Sequence, residues 1–341
     1  MIRGCNKIVV MGASAGGIEA ITRILADVPA DIPAAFFVTV HLNASAPSLL
    51  ASVVGRRARA RVVAAEDGMA IECSTIYTAS PDRHLLIEPN GLIRLGRGPR
   101  ENNFRPAVDP LFRTAAASYG RNVIGVILSG ALDDGTAGLL EVKRYGGVAI
   151  VQQPEDALYP GMPASALQEV PRVDHVLPAR EIAAVLVDLV GKREATAVLS
   201  ATHSLPSDIA MGGERPVTTD ERDAEGSQST FGCPACGGVL WEMREGEMVR
   251  YRCRVGHMFS DEALLAAQTE NLETALWTAL RALEEAAQQA RALAERVRGR
   301  GHTRLAERFE RQQRDALRRA EIVRRALTFG QGDNDEILEV G

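Results

Sequence analysis

Short β-rich segments alternate with helix-forming segments from residue 7 to about residue 190, and this alternation constrains the fold most strongly. The β-rich segments are KIVVMG, AAFFVTVH, STIYTA, NVIGVILSG and GVAIVQQ, with helices predicted after Gly17, around 107–117 and after Gly135. Continuously apolar strands are typical of a sheet covered on both faces, and helices between them are typical of parallel crossovers. The sequence therefore predicts an α/β domain with a doubly wound, mostly parallel sheet.

The segment HLLIEPNGLIRLG departs from this alternation. Its Pro-Asn-Gly turn joins two strand-like runs, which predicts a β-hairpin inserted on the parallel sheet. His84 begins this segment. A position bordering a site and a purely structural position are both open for His84, and we favour the structural one.

The rest of the chain predicts further units, because 341 residues are too many for one ordinary core. From about residue 200 to 230 the sequence has no periodic apolar face, as expected of a linker. The predicted organisation is an α/β domain over 1–195, a flexible linker over 196–230, a Cys/His segment over 231–259, a helical hairpin over 260–329 and a loose tail over 330–341.

The predicted helical hairpin is rich in Ala, Leu, Glu and Arg and contains no proline. Apolar residues recur at steps of four and three, the spacing of a packed helical seam. The first seam is Leu272, Leu276, Ala279, Leu283, Ala286, Ala290, Leu293 and Val297, and the second is Phe309, Ala316, Ala320, Val323 and Leu327. The RGRG break between the two seams predicts two antiparallel helices.

Composition excludes several classes of protein. With 44 acidic and 39 basic residues the net charge is −5, which favours neither nucleic acid nor a membrane surface as the main partner. We find no secretory signal and no apolar run of bilayer length, so we expect a cytoplasmic protein without membrane insertion. The five cysteines are too few for a disulfide scaffold. We interpret Cys5 and Cys73 as small buried residues.

The segment MGASAGGIEA follows the first predicted strand and leads into a helix. Ser14 would then lie at the carboxyl edge of the sheet, beside backbone N–H groups and a helix N-terminus. The segment matches a dinucleotide fingerprint poorly, because serine replaces the second glycine, and it is no P-loop, because Ile18 and Glu19 follow Gly17. Two interpretations remain: Ser14 is a nucleophile, or it is the small residue that a tight turn requires.

A serine nucleophile needs a general base and a group that orients the base. His41 ends AAFFVTVH and Asp134 follows NVIGVILSG, so both are predicted near the carboxyl ends of strands. Each has an ordinary alternative, as a solvated histidine at a strand end and as a helix-capping aspartate. The presence of all three residue types at one sheet edge favours a triad of Ser14, His41 and Asp134.

Over roughly residues 5 to 190 the sequence resembles the catalytic domain of the chemotaxis protein-glutamate methylesterases. The resemblance rests on GASAGG, VTVH, NFRPAVDPLF, LSGALDDGTAGL and GMPASAL, which occur in the family's order. It implies a three-layer α/β/α fold that hydrolyses γ-glutamyl methyl esters on receptor helices, and in some members also deamidates glutamine. It further implies Ser14 as nucleophile, His41 as base and Asp134 as the group that orients the imidazole. Backbone N–H groups at Ala15 and near Ala131 would bind the oxyanion, with no catalytic metal or other catalytic cofactor.

Some residues depart from the family's pattern. Ala15 stands where threonine is common, and Ala131-Leu132 stands where methionine-glycine is common. The tandem Asp133-Asp134 leaves two candidates, of which Asp134 directly precedes the family's glycine. The usual enzymes carry an N-terminal receiver domain, and we expect regulation by self-phosphorylation to be absent from this chain.

Three cysteines and one histidine form two candidate ligand pairs, Cys233-Pro-Ala-Cys236 and Cys253-Arg-Val-Gly-His257. This spacing predicts a closed tetrahedral site for a structural zinc ion. A redox CxxC would need a βαβ context, and a disulfide is not expected in a reducing compartment. The runs VLWEM and MVRYRC predict a small hairpin between the pairs, as in a zinc ribbon.

Two functions from different classes follow. The first is a protein-glutamate methylesterase that acts on a methylated chemoreceptor or a similar helical signalling protein. The alternative is a weakly active or inactive esterase-fold scaffold that binds signalling partners through the zinc ribbon and the helices. The three triad residues favour the enzyme.

The two predicted helices interleave glutamate with arginine, so we expect no nucleic acid as a partner. Their apolar seams could pack on each other, on a second chain or on a receptor, and all three alternatives stay open. We also expect the linker to make small-ester hydrolysis independent of the zinc site.

Overall fold

A computed structural model describes residues 5–44, 49–192, 226–245 and 248–336. The chain divides into two compact units, Met1–Leu264 and Leu265–Gly341. Within the described ranges, no helix is long and apolar enough to cross a membrane.

The first unit contains a seven-stranded sheet in which every neighbouring pair of strands is parallel. Up to residue 192 the strands are β1 (Lys7–Ala13), β2 (Ala34–Val40), β3 (Arg61–Ala64), β4 (Thr75–Thr78), β5 (His84–Ile87), β6 (Ile93–Gly96), β7 (Val123–Ile127), β8 (Val148–Gln152) and β9 (His175–Leu177). The sheet order is β3-β4-β2-β1-β7-β8-β9. β1, β2 and β7 are buried along their whole length, as continuously apolar segments require.

Helices cover both faces of this sheet. They are α1 (Gly17–Asp27), α2 (Leu50–Gly55), α3 (Val108–Tyr119), α4 (Thr136–Arg144), α5 (Gly161–Glu169) and α6 (Ala179–Gly191). Ile21 of α1 and Leu186 of α6 belong to one buried core, and Phe112 of α3 and Leu139 of α4 belong to the other. The predicted doubly wound parallel fold with three layers is confirmed.

Two strands of the sheet were not predicted. β3 and β9 are three or four residues long and only partly buried, so neither carries a long apolar run. The predicted hairpin, β5 with β6, forms its own two-stranded sheet and packs against α3. His84 is fully buried there, and its ring nitrogens bond to the Pro99 carbonyl and the Ala107 N–H, which fits the structural interpretation.

The Cys/His segment forms a four-stranded antiparallel sheet of β10 (Gly226–Gly232), β11 (Val239–Glu245), β12 (Met248–Cys253) and β13 (Met258–Ser260), named here the Cys/His sheet. The predicted hairpin is β11 with β12. The predicted boundary near residue 230 is wrong, because β10 begins at Gly226. Its polar sequence GSQSTFG carries no apolar pattern, and backbone pairing with β11 makes it a strand. The remaining linker residues, 196–225, lie outside the described residues.

The Cys/His sheet packs against the α/β domain within the first unit. The Asn102 N–H donates to the Met258 carbonyl at 2.8 Å, and the Met258 N–H donates to the Arg100 carbonyl at 3.3 Å. Arg250 of β12 is 1% exposed and reaches Glu101 of the same loop. The expectation of a segment separated from the α/β domain is therefore wrong, because these contacts join residues about 150 positions apart in the chain.

Two long helices follow, α7 (Asp261–Arg298) and α8 (Thr303–Glu336). They run antiparallel, since Glu284 pairs with Arg324 while Arg298 pairs with Glu310. Their contact buries Ala320 and Leu327 of the second predicted seam together with Leu280, which the first predicted seam did not include. Leu276, Leu283 and Val323 of the predicted seams pack half-buried against them, whereas Leu272 is 61% exposed. The predicted helical hairpin is confirmed. Residues 330–336 of the predicted tail belong to α8, and 337–341 lie outside the described residues.

Candidate active site

Ser14 and His41 directly follow two neighbouring strands. The last residues of β1 and β2, Ala13 and Val40, are register partners, so the next side chains leave the sheet next to each other. β1 lies between β2 and β7, where the strand order reverses. Open α/β sheets bind their ligands at such a carboxyl edge.

Two glycines allow the loops after β1 and β7 to approach each other. Gly16 has a left-handed φ of 71°, and a Cβ there would lie 2.8 Å from Ser129 Oγ. A Cβ on Gly130 would lie 2.9 Å from the Ser14 Cβ. Larger side chains would separate the two loops. The close approach brings the loop that carries Asp134 next to Ser14.

The Ser14 hydroxyl lies within hydrogen-bond distance of the His41 imidazole. Ser14 Oγ is 2.9 Å from Nδ1, and the His41 side chain is 8% exposed. The ring stacks on Phe104, with centroids 3.5 Å apart and planes 7° from parallel. This stacking fixes the plane of the imidazole and excludes water from one of its faces.

Asp134 lies at the opposite side of the imidazole. Its Oδ2 atom is 2.7 Å from His41 Nε2. A carboxylate accepts the Nε2 proton, which leaves the Nδ1 lone pair to accept the hydroxyl proton of Ser14. The structure thus brings Ser14, His41 and Asp134 into one continuous hydrogen-bonded chain.

Asp134 is held by the first turn of α3 and by one amide side chain. It accepts the N–H groups of Val108 at 2.7 Å and Asp109 at 3.3 Å, and the Nδ2 group of Asn102 at 3.1 Å. Burial by itself would raise the pKa of Asp134. The hydrogen bond and charge of His41, together with these donors, outweigh burial and hold the pKa below its usual value. Asp134 is therefore a carboxylate at neutral pH.

Three further carboxyl groups lie behind Asp134. Burial raises the pKa of Asp109 to about 7 and the pKa of Asp133 to about 6. Burial would also raise the pKa of Glu101, but the Arg113 guanidinium, bonded to both its oxygens at 2.9 and 2.6 Å, holds it at about 2. A buried acidic cluster therefore lies behind the site, and its ionised members are stable only with positively charged side chains beside them.

The predicted oxyanion donors, the N–H groups of Ala15 and Ala131, belong to the loops that follow β1 and β7. The Ser14 N–H is bonded to the Ser129 carbonyl at 2.9 Å, which orients the turn. In the described turns and loops, neither the Ala15 N–H nor the Ala131 N–H donates to a backbone carbonyl. Both donors remain available to an oxygen that develops negative charge during acyl transfer.

Sequence reasoning missed Asn102, Phe104 and Asp109 as parts of this site. Phe104 and Asp109 lie in the segment NFRPAVDPLF, which carried the family resemblance but no assigned role. An aspartate in a first helical turn is usually explained by helix capping, so it gave no separate signal. Only the packing of these residues on Asp134 and His41 reveals what they do.

The four candidate metal ligands also come together, at a separate place on the Cys/His sheet. Their ligand atoms all lie within 4.8 Å of one another. Cys236 Sγ is 3.7 Å from Cys253 Sγ, and His257 Nδ1 is 3.7 Å from Cys233 Sγ and 3.5 Å from Cys253 Sγ. Ligands about 2.3 Å from a tetrahedral zinc ion would be about 3.8 Å apart, so this donor set fits zinc.

Comparisons with known proteins match the α/β domain. A profile of the CheB methylesterase family matches residues 9–186. A putative protein-glutamate methylesterase/protein-glutamine glutaminase of Leptospira interrogans is 36% identical over 181 residues, which are 53% of this chain and 93% of that protein. A protein-glutamate methylesterase/protein-glutamine glutaminase of Hydrogenovibrio crunogenus is 35% identical over 190 residues, 55% of this chain and 50% of that protein.

A solved structure matches the same region. The catalytic domain of Thermotoga maritima CheB methylesterase is 37% identical and superposes with a TM-score of 0.52. The match covers 54% of this chain and 99% of that domain. The Cys/His sheet and the two long helices follow the last residue that the family profile matches.

Proposed function

The chain belongs to the CheB methylesterase family, and from this premise we propose that it hydrolyses γ-glutamyl methyl esters on a methylated chemoreceptor with Ser14, His41 and Asp134 as its catalytic triad. The observation that carries the proposal is the hydrogen-bonded chain from Ser14 Oγ through His41 to Asp134. A scaffold without catalysis has no need for a buried, ionised carboxylate behind an aligned imidazole. The enzyme is therefore preferred to the scaffold.

In the acylation step, His41 Nδ1 accepts the hydroxyl proton as Ser14 Oγ attacks the ester carbonyl. The carbonyl oxygen becomes an oxyanion, which the N–H groups of Ala15 and Ala131 stabilise. The tetrahedral intermediate then breaks the bond to the methoxy group, and His41 returns the proton so that methanol leaves. Asp134 stabilises the imidazolium that forms between these proton transfers.

In the deacylation step, a water molecule enters the position that methanol has left. His41 removes a proton from water, hydroxide attacks the acyl group on Ser14, and the same donors bind the second oxyanion. Collapse of this intermediate breaks the acyl bond to Ser14 Oγ, His41 returns the proton to that oxygen, and a receptor glutamate is released. A glutamine side chain would follow the same course with ammonia as leaving group, which gives the glutamine deamidase activity.

The test is incubation with methylated receptor from the source organism and measurement of released methanol. We expect methanol release by the wild-type chain and none above background by a Ser14→Ala variant. Absence of release from every receptor of that organism, with a folded protein, would favour the scaffold.

An exposed apolar patch beside the serine turn supports a helical substrate. Leu158 is 68% exposed and Tyr159 is 47% exposed. A Cβ on Gly16 would lie 2.8 Å from the Leu158 Cβ, so this patch borders the nucleophile. Its apolar side chains would pack against the helix that carries the methylated glutamate.

The second part of the proposal is a structural zinc ion bound by Cys233, Cys236, Cys253 and His257. All four ligands come from the protein, so the ion would have no open coordination position and would hold the turns of the Cys/His sheet together. Thiolate ligands require a reducing compartment, which supports the cytoplasm as location.

The third part concerns the two long helices. Leu272 of α7 is 61% exposed and Ile322 of α8 is 64% exposed, so each helix retains apolar side chains at its surface. We propose self-association through these helices, which sedimentation equilibrium of the full chain would detect as a dimer. A strictly monomeric chain over the micromolar range would contradict this.

A further inference from the structure

Asn102 connects the Cys/His sheet to the two carboxylates behind the imidazole. Its Nδ2 group donates to Asp134 Oδ1 at 3.1 Å and to Asp109 Oδ2 at 3.2 Å. Its Oδ1 atom accepts the N–H of Ser260, in β13, at 3.1 Å. A reversed amide would direct Oδ1 at two carboxylates and lose the bond from Ser260. The Cys/His sheet therefore fixes the orientation of this amide.

The loop around Asn102 also depends on the Cys/His sheet for its backbone conformation. Asn102 and Asn103 have φ values of 49° and 68°, a left-handed region in which non-glycine residues are uncommon. The N–H of Asn102 is bonded to the Met258 carbonyl at 2.8 Å. This main-chain pairing helps to hold the loop in its left-handed conformation.

Arg250 supplies the positive charge that Asp109 faces. Its Nη2 atom lies 3.3 Å from Asp109 Oδ2 and 3.4 Å from Glu101 Oε2, and its side chain is 1% exposed. Asp109 accepts the Gly138 N–H with its other oxygen at 2.7 Å. The guanidinium thus offsets the repulsion that the ionised form of Asp109 has with Asp134, which shares the Asn102 amide.

Ser260 makes a further contact with the loop that carries Asp134. Its hydroxyl donates to Asp133 Oδ1 at 2.7 Å and accepts the Ala263 N–H at 3.1 Å. The Cys/His sheet thereby touches the residue directly before Asp134 as well as the residues behind it.

We infer that the Cys/His sheet is a positioning element of the esterase, in which Arg250 acts through Asp109, and Ser260 acts through Asn102 and Asp133, to hold Asp134 against His41. The inference rests on the proposed role of the triad. It assigns to a part of the chain outside the family's matched region a role in positioning the catalytic residues. Arg250 and Ser260 are positioning residues, because neither touches the reacting atoms.

The test is the Arg250→Met variant of the full chain, which keeps an unbranched stem and removes the charge. With a small activated ester such as p-nitrophenyl acetate, we expect kcat to fall about 10- to 100-fold while KM changes less than about 3-fold, as displacement of an orienting group would cause. Arg250→Lys should recover part of kcat, because an ammonium group restores the charge without the planar fork. The matched control is Arg244→Met on the same sheet, whose side chain is 75% exposed and pairs with Glu242.

A proton NMR readout tests the inference independently of hydrolysis. The His41 N–H that is bonded to Asp134 should give a resonance far downfield, identified by its loss in His41→Gln. We expect this resonance to shift or broaden in Arg250→Met and to stay unchanged in Arg244→Met. If the wild-type chain hydrolyses no ester, the proposed function fails while the resonance still decides the positioning role.

If near-UV circular dichroism shows that Arg250→Met does not fold, a second variant tests the inference. Ser260→Ala removes the hydroxyl bond to Asp133 and keeps the N–H bond to Asn102, so we expect a smaller fall in kcat, about 3- to 10-fold, together with a shifted resonance. An unshifted His41 resonance in a folded Arg250→Met or Ser260→Ala protein would overturn the inference, whatever happens to kcat.

Discussion

The Nε2 atom of His41 lies 2.7 Å from Asp134 Oδ2, while its Nδ1 atom faces Ser14 Oγ at 2.9 Å. The two ring nitrogens thus exchange the roles that they have in chymotrypsin-like proteases, where Nε2 faces the serine. Strand order explains this arrangement. Ser14 follows the strand next to His41, so the nitrogen nearer the His41 backbone reaches it. Asp134 follows a strand two positions away, and the ring tip reaches it.

Ser14→Ala should lower kcat about 10⁴- to 10⁶-fold, because the covalent route is lost and only binding and oxyanion stabilisation remain. His41→Ala should lower kcat by nearly as much. The double variant should be little worse than either single variant, because the two residues act as one unit. Steady-state kinetics with a small ester measure all three. A double defect equal to the product of the single defects would contradict a shared triad.

Asp134→Asn should lower kcat about 10⁴-fold, because an amide cannot stabilise the imidazolium and favours the wrong tautomer. Asp133→Asn is the matched comparison within the tandem pair. It should lose far less activity, since the amide oxygen still accepts the Ser260 hydroxyl. Kinetics of the two variants under the same conditions check the assignment. Equal defects would show that both aspartates of the tandem pair, rather than Asp134 alone, orient and stabilise the His41 imidazole.

Asp133→Asn should also change how stability depends on pH. Burial raises the folded-state pKa of Asp133 to about 6, above the model-peptide value of 3.8. The unfolded chain therefore releases this proton first, so the carboxyl destabilises the fold increasingly from about pH 4 to pH 6, with no further change above that range. Relative to wild type, Asp133→Asn should gain on the order of 1 to 3 kcal/mol across this range. Urea unfolding at several pH values measures the difference, and a constant difference would refute the shift.

Metal removal should weaken hydrolysis of a small ester. If the zinc segment were separate from the α/β domain, hydrolysis of a small ester would instead be unchanged. Without the ion, the turns at Cys233 and Cys253 lose their cross-link, and β13 loses its hold on the loop at Asn102. The fall in kcat should resemble that of Arg250→Met. Elemental analysis should first find one zinc per chain. Cys236→Ser should reproduce the loss, whereas Cys73→Ser, outside the ligand set, should not. Full activity of a verified metal-free chain would contradict the coupling.

Leu158→Ser should distinguish the receptor from a small ester. The substitution removes exposed apolar surface beside the nucleophile and leaves the triad unchanged. We expect KM for methylated receptor to rise about 3- to 10-fold, which corresponds to loss of roughly 1 kcal/mol of apolar contact. Values for p-nitrophenyl acetate should not change. An equal effect on both substrates would indicate a disturbed turn instead of a lost docking contact.

The sequence by itself determined the parallel sheet and the meeting of Ser14, His41 and Asp134. These conclusions depend on local patterns: a continuous apolar run defines a strand, and parallel strands collect their carboxyl ends at one edge. A residue that follows such a run is therefore predicted to lie at the carboxyl edge of the sheet, even before any of its contacts is known. The two pairs of candidate metal ligands were predictable for a similar reason, because each pair lies within one tight turn.

Only the tertiary structure decided the surroundings of Asp134. Arg250 and Asp109 are 141 positions apart, and no periodicity links a polar residue on a short strand to a carboxylate on a distant helix. Asn102 has the same character, because its role depends on three hydrogen bonds to three other parts of the chain, at Asp109, Asp134 and Ser260. Burial gives these polar groups their roles, because a charge or amide removed from water must find specific partners. Burial by a distant segment is a property of the packed molecule, which is why the local sequence pattern of the Cys/His sheet does not predict its packing against the residues behind Asp134.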